Sequence, residues 1–183
     1  MNKTFYVCKY TPIELLQAFG GVCDNVNHMP EGFEQADRIA HPNLCGFGKA
    51  LLEAVMTGQV NELVLVNCCD TIRSVYDILE ASGKMDFLYM IDMLHCGDAC
   101  SRARTVTQLK ALAKAYGAYK GTQFDEAAFR AAFVRKDKPK GAYLTVLGAR
   151  MGAELFDMVQ QVMPLPVVNN SCVHNRSVGE IAP

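Results

Sequence analysis

The amino-acid sequence predicts an α/β protein: a Rossmann-like parallel sheet with helices on both faces, plus the start of a second, similar domain. Three observations support this prediction. Short apolar segments alternate with longer segments of helical periodicity along the chain. The run Leu63–Val66 is apolar without interruption, as in a parallel strand that is buried on both faces. Glycines follow three of the predicted helices, at Gly20, Gly58 and Gly83.

The first domain is predicted over residues 1–135. Its first helix is expected to begin at Thr11 and Pro12, because threonine is a good N-cap and proline suits the first helical position. Asn43 is expected to cap a later helix. The predicted strands are residues 3–7, 22–26, 63–66 and 87–93, and the predicted helices are about residues 12–19, 43–57, 70–82, 101–119 and 125–134.

A charged stretch that contains Pro139 is the predicted boundary of the second domain, which would cover residues 136–183. This part shows a strand at 142–147, a helix at 152–162 and a short strand at 167–168. One strand–helix–strand unit cannot close a doubly wound sheet. The second domain is therefore expected to be truncated in this chain.

Composition and charge limit the classes of function. The 183 residues include 18 basic and 19 acidic side chains, and the net charge is −1. So weak a field would not draw the protein to nucleic acid or to anionic lipid. The sequence shows no secretory signal and no apolar run of the roughly 18 residues that a membrane helix needs. A cytoplasmic protein without nucleic-acid or membrane partners is therefore expected.

Eight cysteines are many for a protein predicted to be cytoplasmic: Cys8, Cys23, Cys45, Cys68, Cys69, Cys96, Cys100 and Cys172. In a reducing compartment they indicate metal ligation, or an anaerobe under little pressure to remove thiols. Zinc usually shows C-x₂-C or H-x₃-H pairs, which are absent. A Walker-A sequence and a G-x-G-x-x-G motif are absent as well, so ATP binding by this chain is not expected.

Most of these cysteines follow predicted strands, where functional groups of doubly wound sheets gather. Cys8 follows the first strand and Cys68-Cys69 follow Leu63–Val66, while Cys172 follows the last strand. Cys45 lies in the first turn of a helix, where the helix dipole stabilises a thiolate. Thiolates from separate loops that meet in space can hold a [4Fe–4S] cluster.

The same cysteines can also be ordinary core residues, because a thiol packs like a small hydrophobe. This interpretation is favoured for Cys23, and it is evenly balanced against ligation for Cys68. A structural role is also favoured over ligation for Cys96 and Cys100. His95 ends a strand and is the one candidate acid or base among the histidines.

Four segments, in order along the chain, resemble motifs of one family. They are Tyr10–Gly20 (YTPIELLQAFG), His41–Lys49 (HPNLCGFGK), Leu65–Asp77 (LVNCCDTIRSVYD) and Val167–Arg176 (VVNNSCVHNR). They are similar to the P-x-E-L, cysteine–lysine, strand-then-Cys-Asp and V-V-x-x-x-C segments of the 2-hydroxyacyl-CoA dehydratase D-component type. That family includes benzoyl-CoA reductase subunits and double-cubane-cluster proteins.

The resemblance implies a site and a chemistry. Cys45 and Cys69 match two ligand positions of a [4Fe–4S] cluster, and Cys8 resembles the extra cysteine of some cluster-rich relatives. The implied cofactor of the full-length protein is therefore a [4Fe–4S] cluster or a double-cubane cluster. Further candidate ligands are Cys172, Cys96 and Cys100. An ATP-dependent activator would deliver low-potential electrons for radical dehydration or reduction of an acyl-CoA, and a homologous subunit would complete a homo- or heterodimer. Loop 95–101 differs from the CoA dehydratases, so the substrate stays open.

Two other interpretations remain at this point. In the first, the chain is a non-catalytic binding or scaffold paralogue whose cysteines are structural. In the second, it is an isolated domain with a zinc site. The positions of Cys8, Cys45 and Cys69 discriminate between these interpretations and the cluster-binding one. Thiols that meet at the strand ends favour a cluster, whereas thiols that point into separate cores favour a scaffold.

Overall fold

The computed structural model describes residues 3–26, 30–94, 96–133, 139–148 and 150–172. Its main sheet has four strands in the order β2-β1-β3-β4, and every neighbouring pair is parallel. The strands are β1 Lys3–Tyr6, β2 Val22–Asn25, β3 Glu62–Val66 and β4 Phe87–Ile91. The predicted α/β class with a parallel sheet is confirmed.

Helices cover both faces of this sheet. They are α1 Ile13–Gln17, α2 Ala36–Ile39, α3 Gly46–Met56, α4 Asp70–Ser82, α5 Ala99–Lys120 and α6 Glu126–Ala131. Because side chains alternate along a strand, Leu63 and Leu65 of β3 pack with the apolar residues of α3 and α4 on one face. Val64 and Val66 pack with residues of α1 and α5 on the other. The prediction of helices on both faces is therefore confirmed.

Two helix starts differ from the sequence-based expectation. Pro12, not Thr11, is the N-cap of α1. Asn43 does not cap α3, because its backbone N–H donates to Nδ1 of His41 at 3.1 Å within a preceding turn. The helix begins later, and Cys45 is its N-cap.

The strand order creates a switch point between β1 and β3. The connection from β1 through α1 leads to β2 on one side, and the connection from β3 through α4 leads to β4 on the other. The two helices leave on opposite faces, which opens a crevice beyond the carboxyl ends of β1 and β3. Cys8 lies beyond the end of β1, and Cys68 and Cys69 lie beyond the end of β3.

A buried ionic network lies at the other end of the sheet, where the strands begin. The Glu62 carboxylate, whose side chain is 1% exposed, accepts from the Lys120 ammonium at 2.7 Å and from the Thr4 hydroxyl at 2.5 Å. Tyr119 donates to the same carboxylate at 3.0 Å. These bonds fix the C-terminal end of α5 to the sheet, at the end opposite to Cys8, Cys68 and Cys69.

The last part of the chain forms a strand–helix–strand unit, as predicted. Its elements are β5 Leu144–Val146, α7 Ala153–Val162 and β6 Val167–Asn169, and the two strands are parallel. The predicted boundary between residues 135 and 136 lies outside the described residues, so the division into two domains stays a proposal. None of the helices in the described ranges combines the length and the apolar character of a membrane span.

The loop after β6 is bonded to the loop after β1. The backbone N–H of Lys9 donates to the carbonyl oxygen of Cys172 at 2.8 Å, and the Lys9 ammonium donates to the carbonyl of Asn170 at 2.7 Å. The carboxyl end of β6 therefore lies beside the carboxyl end of β1.

Candidate functional site

Cys45 and Cys69 occupy equivalent positions on two neighbouring helices. Each is the N-cap of its helix, with extended backbone, and in neither case does the side chain accept a capping hydrogen bond. Both thiols are exposed. Neither sulfur caps its helix, so both remain accessible to a metal. Both side chains are thus suited to ligating a metal.

The first turns of α3 and α4 are in direct contact. A Cβ placed on Gly48 would lie 2.6 Å from Cγ2 of Thr71, so only glycine permits this approach. Gly48 follows Cys45 by three residues, and Thr71 follows Cys69 by two. The contact therefore brings the two cysteine-capped helix ends to the same place on the sheet edge.

Three thiols interact at the end of β3. A hydrogen bond with Cys8, partial burial, and the charges of Cys8 and Cys69 raise the pKa of the Cys68 thiol well above its usual range. Cys8 is 2% exposed and packs in the apolar cluster that includes Val64 and Val66. The predicted ligands Cys8 and Cys69 therefore share Cys68 as a neighbour, although Cys8 lies on the α1/α5 face.

Asn67 turns the chain between β3 and these cysteines. Its backbone N–H donates to the carbonyl of Ile91 at 3.1 Å, and its side-chain oxygen accepts from the N–H of Met93 at 2.8 Å. Its amide nitrogen also donates to the Asp92 carboxylate. This role is not among the sequence-based predictions, although a polar residue directly after a buried strand could have suggested it.

Arg150 connects the second unit to the α3 end of the site. Its guanidinium lies 4.2 Å from the ring centroid of Phe47, in the first turn of α3, and donates to the carbonyl of Val26. Burial lowers the pKa of Arg150, and the nearby charge of Cys172 opposes that shift. The Cys172 thiol itself donates to the carbonyl of Gly148 at 3.3 Å. Nothing in the sequence around Arg150 indicates this role.

The remaining predicted site residues lie around the start of α5. Cys96 and Cys100 are both exposed, and Cys100 is in the first turn of that helix. Asp98 is the N-cap, and hydrogen bonds from Ser101 lower the pKa of its carboxyl. The candidate acid or base His95 lies outside the described residues.

A cavity of about 450 Å³ opens beside the carboxyl end of β4. Its lining is mostly apolar, with Glu14 and Lys110 among the polar residues. The apolar lining includes Leu15, Ile91, Met93, Val106, Leu109 and Phe129. Because Met93 is bonded to Asn67, the cavity adjoins the turn that carries Cys68.

The donor set fits an iron–sulfur cluster in part. Within the described ranges, no group of three or more His, Cys, Asp or Glu side chains is arranged to hold a metal ion. The donors that do gather at the switch point are thiols, which suit iron–sulfur clusters and other soft metals rather than magnesium or calcium. The described residues thus bring thiols near one another without forming a complete metal site.

The fold and the site together define a Rossmann-like protein with cysteines at the switch point of its sheet. The chain belongs to the family of the 2-hydroxyglutaryl-CoA dehydratase D-component, whose model matches residues 8–179. This confirms the resemblance drawn from the four segments, and membership indicates a component of a 2-hydroxyacyl-CoA dehydratase system. The curated proteins contain no match to the chain.

Proposed function

We propose that this chain is the iron–sulfur-binding component of a system like 2-hydroxyacyl-CoA dehydratase or benzoyl-CoA reductase. Cys45 and Cys69 hold a [4Fe–4S] cluster, with Cys8 as a third ligand from this chain. The observation that carries the proposal is the contact of Gly48 with Thr71, because it joins two helix ends whose N-caps are exposed cysteines.

The protein's own groups perform three tasks at this site. The N-termini of α3 and α4 present the thiols of Cys45 and Cys69 to solvent, and Asn67 fixes the direction of the chain that carries Cys69. Arg150 adds a positive charge beside the first turn of α3. When bound, a cluster supplies single low-potential electrons, which reduction or radical dehydration of an acyl-CoA thioester requires.

Exposure of the two thiols supports the proposed partners. A cluster needs more ligands than Cys45 and Cys69, and a homologous subunit or further protein can approach them from solvent. The same open side allows an ATP-dependent activator to deliver electrons. The adjoining cavity of about 450 Å³ is suited to an apolar part of the substrate.

Anaerobic reconstitution of the chain with ferrous iron and sulfide tests the proposal. We expect a brown protein that absorbs broadly in the visible range and contains acid-labile sulfide and bound iron. Cys69→Ser and Cys45→Ser should each lose most of the iron, because a serine hydroxyl is a poor ligand for such clusters. Cys23→Ser is the matched control: it removes a thiol of β2 that bonds to the Ile13 carbonyl, and it should keep the colour.

Two results would contradict the proposal. A chain that stays colourless and free of sulfide after reconstitution supports the non-catalytic scaffold instead. Stoichiometric zinc that resists exchange by iron, and that depends on Cys45 and Cys69, supports the zinc site.

A further inference from the structure

Cys8 and Cys68 lie beyond the carboxyl ends of the neighbouring strands β1 and β3. Tyr6 of β1 pairs with Val64 of β3, so Cys8 comes level with Val66 when the register is continued. Cys8 shares the α1/α5 cluster with Val64 and Val66. Cys68 lies two residues beyond Val66, past the end of β3.

The chain after β3 keeps Cys68 close to its strand. The N–H of Cys68 donates to the carbonyl of Val66 at 2.6 Å, which folds the backbone back in a tight turn. The two thiols are in hydrogen-bond contact. Neighbouring strands are about 4.8 Å apart, and disulfides join residues whose Cα atoms are about 4.4–6.8 Å apart.

We propose that Cys8 and Cys68 are a redox-active dithiol that closes to a disulfide when a low-molecular-weight disulfide, such as oxidised glutathione, is present. Cys68 is the exposed thiol and meets the reagent first: as its proton leaves, its sulfur bonds to one sulfur of the reagent, and the other half departs as a thiol. The raised pKa of Cys68 slows this step without changing its products. The buried Cys8 then attacks the Cys68 sulfur and releases the second thiol. One disulfide is reduced to two thiols, and the two protein thiols give up their two protons and two electrons.

Cys69 is the competing partner for Cys68, since its thiol also interacts with it. A disulfide between adjacent residues closes a small ring through their peptide bond, and this strains the planar geometry of the peptide. Cys69 also caps α4, whose residues pack on the opposite face of the sheet. Both considerations favour Cys8 over Cys69.

Closure has a consequence that rests on the proposed function. Cys8 is then removed from the proposed ligand set, and the end of β3 is fixed to the end of β1. The oxidised chain should take up less iron than the reduced chain until a dithiol reductant opens the bond.

The test treats the iron-free chain with oxidised glutathione, blocks the remaining thiols, and maps disulfide peptides by mass spectrometry. We expect one major cross-linked pair that contains Cys8 and Cys68, reversed by dithiothreitol. Cys68→Ser, an exposed substitution, should abolish it, and Cys8→Ala should leave Cys68 as a glutathione adduct. Cys23→Ser changes a thiol of β2 that bonds instead to the Ile13 carbonyl, and it should retain the cross-link.

A dominant Cys68–Cys69 pair, or adducts with no protein disulfide in the wild-type chain, would overturn the inference. The assay needs no iron, so its failure is separable from that of the proposed function. A chain that binds iron but never forms the cross-link contradicts only the proposed dithiol. A chain that forms the cross-link but stays colourless after reconstitution contradicts only the proposed cluster.

Discussion

The Cα of Gly48 and the side chain of Thr71 approach so closely that a Cβ on residue 48 would lie 2.6 Å from the threonine methyl group. Leu44 closes the same space from the other side, at 3.1 Å. Because both neighbours limit movement, a methyl group at this position must push the first turns of α3 and α4 apart. The spacing of the two cysteine-capped helix ends depends on this glycine.

Gly48→Ala should therefore weaken both the fold and the site. Overpacking of this kind typically costs about 1–3 kcal/mol of unfolding free energy. We expect that loss in a urea titration, together with a clear fall in iron per chain after reconstitution. Gly46→Ala is the matched control, since nothing lies within 4 Å of a Cβ at Gly46. Equal behaviour of the two variants would show that the contact does not set the site.

The buried Glu62–Lys120 pair should contribute far more to stability than a surface pair. Lys120→Met leaves the 1% exposed carboxylate without its ammonium partner, which typically costs about 3–5 kcal/mol. The comparison is Lys3→Met, which removes a pair whose side chains are 54% and 47% exposed and should cost less than about 1 kcal/mol. Chemical denaturation of both variants measures how much unfolding free energy each one loses. Similar losses in the two variants would contradict the prediction.

Two tyrosines near this pair should make the fold sensitive to alkali. Burial raises the pKa of Tyr116 to about 12, and burial together with a bond to Glu62 raises the pKa of Tyr119 to about 12. Their ordinary value is about 10, so the unfolded chain loses these protons first. The stabilising contribution is complete below about pH 10 and is lost as the pH rises towards about 12.

Unfolding free energies at about pH 8 and about pH 11 test this prediction. The wild-type chain should be less stable at the higher pH, and Tyr116→Phe should reduce that difference. Tyr10→Phe changes a tyrosine that is 57% exposed and should leave the difference unchanged. A pH dependence that is the same in all three proteins would contradict the assignment.

Arg150 should hold the last strand–helix–strand unit against the first sheet. Arg150→Ala removes the contact with the Phe47 ring and the bond to the Val26 carbonyl. If the free energy of local opening falls by about 1.4 kcal/mol, the population of locally opened molecules rises about tenfold. Hydrogen exchange at the Lys9 N–H reports this directly, because that group donates to the carbonyl of Cys172. Arg102→Ala, on exposed α5 surface, is the control, and unchanged protection in Arg150→Ala would refute the role.

Periodicity in the sequence was enough to predict most of the fold. The apolar run Leu63–Val66 was correctly predicted as a buried strand, because a strand covered on both faces needs apolar residues at every position. The helix that follows it was also correct, since Ile72, Val75 and Leu79 repeat at helical spacing and are buried. These signals are local, and so a single sequence reveals them.

The site required information that is not local. Asn43 was predicted as a cap from its type alone, but a turn with His41 uses its N–H and moves the cap to Cys45. The contact between Cys8 and Cys68 depends on strand register and on the turn at Asn67. Arg150 reaches the site from a distant part of the chain. None of these relationships follows from spacing along the sequence.

The most direct test of the account asks whether the thiols of Cys45 and Cys69 lie close enough to bind one cluster. The iron-free, reduced chain, in a Cys68→Ser background that removes the neighbouring thiol, is treated with a short bis-alkylating reagent such as dibromobimane. Peptide mapping should find a single bridge that joins Cys45 to Cys69, and Gly48→Ala should diminish it while Gly46→Ala leaves it intact. Separate alkylation of the two cysteines, with no bridge between them, would contradict the central claim.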